Sequence, residues 1–123
     1  LYVALMGLFS MTLCAQSTLD IMYYNLLNFP GTTPERADTL RIIVQYAQPD
    51  LLVVNELSSE EGADLILNNS LNQWGIAHYK RAVFTDGPDT DNMLFYDSTK
   101  VGLASQYEIE TELQNIATIG NTC

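Results

Sequence analysis

The chain has 123 residues, of which 47% are hydrophobic, 10% aromatic and 16% charged. That composition suits one globular domain and excludes a disordered or low-complexity chain. Five Lys and Arg stand against fifteen Asp and Glu, for a net charge of -10, which excludes holding nucleic acid by bulk positive charge but leaves open a site that attracts phosphate through a bound cation.

The first charge in the chain is Asp20. Before it, the apolar run from Leu1 to Phe9 closes on smaller residues up to Ala15, the pattern of a secretory signal peptide whose basic start is missing. Residues 1–15 are therefore expected to be a signal peptide, with secretion or export to the periplasm as the consequence. A membrane anchor is the rival, but a span needs about 20 apolar residues. Lipid attachment at Cys14 is a further alternative, against which Leu13 is a poor preceding residue. The chain starts at Leu1 rather than Met and ends at Cys123, and both ends are expected to be cuts in a longer reading frame. If Cys14 leaves with the signal, Cys123 stands alone, so no disulfide framework follows.

Leu19 to Tyr24 reads as a strand, rich in aromatic and branched residues. Asn25 to Gly31 reads as a loop, by its Asn, Pro and Gly. Thr33 is expected to cap a helix with Pro34 at its first position and Ala37, Leu40, Ile43, Val44 and Ala47 on its inner face. Pro49 stops that helix. The second strand, Leu51 to Val54, is apolar without alternation, so both of its faces are expected to be buried. Asn55 and Glu56 follow at its end. Ser58 with Glu61 predicts a capping box. The helix after it should turn Ala63, Ile66, Leu67, Leu71 and Trp74 inward and end at Gly75. Three more strands are predicted, Ile76 to Phe84, Asn92 to Tyr96 and Val101 to Glu110, with turns at Thr85 to Asp91 and at Asp97 to Lys100. This order predicts α/β layering on a mixed sheet.

Asn25 and Glu56 end the two strands expected to be most buried. If those strands are neighbours, both side chains converge at one sheet edge, where α/β folds bind ligands. A carboxylate with an amide oxygen suits a hard cation such as Mg²⁺. The plain alternative is that Asn25 caps a turn and Glu56 is simply solvated.

The words around these residues favour the first reading. Ile21-Met-Tyr-Tyr-Asn25-Leu-Leu-Asn-Phe29 resembles the opening strand of the endonuclease–exonuclease–phosphatase superfamily, the fold of pancreatic-type deoxyribonuclease. Pro49-Asp-Leu-Leu-Val-Val-Asn-Glu56 resembles its second motif, and Asn92-Met-Leu-Phe-Tyr-Asp97 followed by Val101 resembles a later strand. The resemblance covers residues 19–110 and corresponds to the first half of a family domain of about 250 residues. It implies a four-layer α-β-β-α sandwich, of which residues 16–123 would form the N-terminal part. It implies that Glu56 binds Mg²⁺ or Mn²⁺, and that Asn25 sits beside metal and scissile phosphate. The implied activity is metal-dependent phosphodiester hydrolysis, with nucleic acid as substrate and the protein a secreted nuclease. A phospholipid or inositol-phosphate phosphatase of the same fold, a non-catalytic secreted binding domain and a truncated, non-functional gene product are the alternatives. Asn55 departs from the usual Gln before the glutamate, and Leu27 stands where some members carry a charge. The resemblance puts the general-base histidine, an Asp-x-Asn segment and a second acidic ligand beyond residue 123, so the chain alone is expected to be inactive. His78, the one histidine, is read as structural or surface. Asp86, Asp89 and Asp91 are read as a solvated turn, because an EF-hand glycine and distal glutamate are missing. Lys80 and Arg81 are read as a solvated strand edge.

Overall fold

Strand β1, Ile21–Phe29, runs beyond its predicted end at Tyr24 and takes in residues expected to form a loop. A computed structural model describes residues 18–107. The signal peptide expected over residues 1–15 lies outside the described residues. Helix α1, Arg36–Ala47, follows β1, and then β2, Leu51–Leu57. Helix α2, Glu60–Leu65, continues directly as a π-helix, Ile66–Leu71. Two strands complete the order, β3 at Tyr79–Arg81 and β4 at Asp91–Asp97. The four strands form one mixed sheet in the order β1-β2-β4-β3. Strands β1 and β2 are parallel, from Ile21 opposite Leu51 to Asn25 opposite Asn55. Strand β4 is antiparallel to both β2 and β3. The chain is thus a mixed α/β unit.

The helices cover one face of the sheet. Leu52, Val54, Met93 and Phe95 point into that layer and meet Leu40 and Val44 of α1, Ala63 of α2 and Ile66 and Leu71 of the π-helix. The opposite face is more open among the described residues. Ile21 and Tyr23 are exposed there, and Leu51, Val53, Leu94 and Tyr96 are half-buried. Residues 101–106 lie against part of it, with Leu103 beside Leu51, Val53 and Leu94. The expectation that β2 is buried on both faces is therefore corrected: its unbroken apolar run alternates in burial.

Several boundaries differ from the sequence reading. Thr33 does not cap α1. Its backbone carbonyl accepts from Arg36 N at 3.2 Å in a turn that precedes the helix, and Glu35 takes the cap position without a side-chain bond. Ser59, not Ser58, caps α2, accepting from Gly62 N at 3.1 Å; Ser58 Oγ instead donates to the Phe29 carbonyl at 2.9 Å. Trp74 is 69% exposed rather than inward. The helix ends at Leu71, and Trp74 follows it with a left-handed backbone, φ 55°, so the 3.6-residue period that pointed it at the core no longer applies. Arg41 lies over its ring at 5.4 Å. The strand predicted over Ile76 to Phe84 shortens to Tyr79–Arg81. Residues 101–107 are irregular rather than a strand, and residues 108–110 of that prediction lie outside the described residues.

At the starting end of β1 and β2, Asp50 is 1% exposed. Its Oδ2 accepts from Asp20 N at 3.0 Å, its Oδ1 takes the Lys100 ammonium, and its backbone carbonyl accepts from Asp97 N at 2.8 Å. One residue so joins the starts of β1 and β2 to the end of β4. The Lys100 hydrogen bond, with the Asp20 amide, holds the Asp50 carboxyl below its ordinary range. Its contribution to stability is therefore full above the unfolded carboxylate value of about 3.9 and fades as pH falls through the lower folded value. Asp50→Asn should be less stable than the parent at pH 7. Urea midpoints measured from pH 7 to pH 2.5 should converge as the acid end is approached.

Candidate functional site

Beyond Asn25 and Val54, both parallel strands leave their regular pairing, which resumes with Phe29 opposite Leu57. The alternation of buried Leu52 and Val54 would place residue 56 on the core face. Glu56 instead takes a left-handed backbone, φ 57°, and Leu57 becomes the fully buried residue. Glu56 thereby stays half-buried at the rim. In β1, Leu27 and Asn28 are left-handed as well, φ 50° and 56°, and Phe29 takes the core position. A left-handed non-glycine residue costs roughly 1–2 kcal/mol. Such strain persists only where surrounding contacts determine it, and it concentrates at functional sites.

The two irregularities bring the sequence-predicted site residues together. Asn25 Nδ2 donates to Glu56 Oε1 at 2.7 Å, and Asn25 Oδ1 accepts from Leu27 N at 2.8 Å. The carboxamide is thus fixed at both ends, with its donor end on the carboxylate. No described residue donates to Glu56 Oε2. Asn55 Oδ1, on the neighbouring residue, is buried with no hydrogen-bond partner among the described residues. Oxygens left without donors suit a hard cation, and Mg²⁺ commonly takes only one or two protein carboxylates. Glu56 Oε2 and Asn55 Oδ1 are therefore the oxygens here that a cation could take, since Asn25 Oδ1 is held by Leu27 N, and no group of three or more His, Cys, Asp or Glu side chains gathers among the described residues. A cleft of about 340 Å³ opens beside Asn25, lined by Tyr24, Leu26, Leu27, Phe29, Arg36 and Thr39.

The remaining polar residues sort differently. His78 Nε2 lies 3.4 Å from Asp97 Oδ2, and its ring stacks on Tyr79 at 5.2 Å. That pair sits at the opposite end of the sheet, because Asp97 ends β4 opposite Tyr79. It borders a polar cleft of about 430 Å³ with Asp20 and Lys100. Burial raises the Asp97 carboxyl pKa, but the two Thr99 hydrogen bonds and the charges of His78 and Lys100 outweigh it and hold the group below its ordinary value. Arg81 is no free cation at a solvated edge, since it bridges Glu60 and Asp64 at 2.8 Å each. Lys80 is exposed, as are Asp86 and Asp89. Asp91 departs from the solvated-turn reading: it is 9% exposed, its Oδ1 accepts from Gly87 N at 2.8 Å, and its Oδ2 has no partner among the described residues.

Sequence reasoning missed Arg36, whose guanidinium reaches the carbonyls of the strained β1 segment. The available signal was its place in the first turn of a helix, where a cation opposes the helix dipole. It also missed Gly62, where the start of α2 presses on the end of β1. No helix among the described residues is long and apolar enough to cross a membrane. No protein-family model matches the chain, and no curated protein or solved structure matches it either.

A Cβ at Gly62 would stand 2.7 Å from Pro30 Cδ, 3.0 Å from Leu57 Cδ1 and 3.3 Å from the Phe29 carbonyl oxygen. Gly→Ala inside a helix ordinarily stabilises by about 0.5–1 kcal/mol. Here the clash reverses the sign. Gly62→Ala should lower stability by about 1–3 kcal/mol, seen as a lower urea midpoint.

Proposed function

We propose that this chain carries the metal-holding half of a phosphodiesterase of the endonuclease–exonuclease–phosphatase fold, a secreted hydrolase acting on nucleic acid. The observation that carries the reading is the 2.7 Å bond between Asn25 and Glu56, made where the regular pairing of two adjacent parallel strands breaks off toward their C-terminal ends. Those strand ends are where α/β folds place ligands, and these are the two positions at which the sequence resembles the family's metal motif. Glu56 would hold Mg²⁺ or Mn²⁺, its Oε1 being already bonded to Asn25. Asn25 fixes the carboxylate's orientation and borders the scissile phosphate. When bound, the cation would supply Lewis acidity toward a phosphoryl oxygen. On the family pattern the general base is a histidine, and His78 lies at the opposite end of the sheet from Glu56. The more open face of the sheet, with Ile21 and Tyr23 exposed, supports the second sheet of a four-layer sandwich. Secretion rests on the signal-like run of residues 1–15, and a net charge of -10 makes the cation the means of drawing in an anionic substrate.

The test compares the gene product as encoded with its Glu56→Gln variant. Turnover of a phosphodiester with Mn²⁺ should fall by about a hundredfold or more. Mn²⁺ binding, followed by electron paramagnetic resonance, should weaken while circular dichroism stays unchanged. A folded Glu56→Gln protein with parental turnover would overturn the reading.

A further inference from the structure

Arg36 opens α1 at the end of a helix that disfavours cations, so its placement needs a reason elsewhere. None of its hydrogen bonds reaches a carboxylate. Nε donates to Thr33 Oγ1 at 2.7 Å, Nη1 to the Leu26 carbonyl at 2.7 Å and Nη2 to the Leu27 carbonyl at 3.2 Å. The guanidinium lies over the Phe29 ring, 5.4 Å from its centre. A planar, rigid fork holds two successive carbonyls at fixed angles, which a flexible ammonium does less well.

The Leu26 carbonyl and the Leu27 N–H belong to one peptide group. Arg36 binds its oxygen, and Asn25 Oδ1 accepts from its nitrogen at 2.8 Å. A cationic donor on the oxygen polarises the group and strengthens the bond its N–H makes. The Leu27 carbonyl, also held by Arg36, leads into the left-handed Asn28. The line of contacts therefore runs from Arg36 through the 26–27 peptide to Asn25, and from Asn25 Nδ2 to Glu56.

We propose that Arg36 is a positioning residue of the site: by clamping the Leu26 and Leu27 carbonyls it holds the strained end of β1 in the one conformation that aims the Asn25 carboxamide at Glu56. The catalytic part of this inference rests on the reading that Glu56 holds the cation; the geometric part does not. Arg36 makes no hydrogen bond to Glu56; its contacts reach that carboxylate only through Asn25.

The side-chain amide resonances of Asn25, read by ¹⁵N NMR, report the geometry without any turnover. In the parent they should shift on Glu56→Gln. In Arg36→Ala they should move to the position of a water-exposed asparagine and lose that response. Arg36→Lys, which keeps the charge and the stem over Phe29, should fall between the two, and it decides the matter if Arg36→Ala fails to fold. In the gene product as encoded, kcat of the folded variants should drop by about 10–100-fold, the usual range for a residue supporting a metal ligand, with KM within about twofold. Parental Asn25 resonances and parental kcat in a folded Arg36→Ala or Arg36→Lys protein would overturn the proposal. So would parental Asn25 resonances that ignore Glu56→Gln. If Glu56→Gln leaves turnover and Mn²⁺ binding intact, the metal reading falls, and the amide resonances still decide the role of Arg36.

Discussion

The register between β1 and β2 depends on the buried carboxylate of Asp50. It accepts from the backbone N–H of Asp20 and from the Lys100 ammonium, while its backbone carbonyl takes the N–H of Asp97. A buried charge is tolerated only when paired and hydrogen-bonded, so this residue admits one alignment of three strands. Ile21 then lies opposite Leu51, and the ladder runs without a break to Asn25 opposite Asn55. A slip of one residue would turn every side chain to the other face. The polar cluster at one end of the sheet thus sets which residues meet at the other.

At that other end the ladder is deliberately irregular. Left-handed Leu27, Asn28 and Glu56 let Phe29 and Leu57 fill the core while Asn25 and Glu56 remain at the rim. The hydrophobic demand of two fully buried side chains holds the strain. Ser58 ties the two strand ends by donating from both backbone and side chain to the Phe29 carbonyl. Gly62 lets α2 approach closely enough to lock that corner. Site and core are therefore one mechanical unit: the residues that bury best are those that push Glu56 outward.

The elements that read correctly from sequence were those whose signal is local. The strand at Leu51, the helix that Pro49 follows and the strand at Asn92 each carry their own periodicity or breaker. The misread features were decided partly by partners far along the chain and partly by side chains and backbone geometry that pattern does not distinguish. Thr33 looks like a helix cap, yet its hydroxyl accepts from the Arg36 guanidinium. Ser58 has the capping-box pattern, yet its hydroxyl is drawn to the Phe29 carbonyl and Ser59 takes the cap instead. Ile66 and Leu71 face inward as the helical pattern predicted, but on a π-helical turn rather than an α-helix, and Trp74 beyond it is exposed. Asp91 looks like one more turn acid, but pairing with Leu57 in the sheet buries it.

The sequence by itself determined a mixed α/β chain and a helix and a strand pair in the right order. These follow from side-chain type and spacing, which act over a few residues. Asn25, placed by sequence at a strand end, stands within β1, which continues to Phe29. Only the tertiary structure decided that Asn25 donates to Glu56, that the strand ends are left-handed, and that Arg36 clamps the backbone between them. Those outcomes depend on the parallel alignment of β1 with β2, a pairing across about thirty positions that a buried carboxylate and two core side chains enforce. Local propensity carries no record of such a pairing, because the free energy that selects it appears only when the distant partners are in contact.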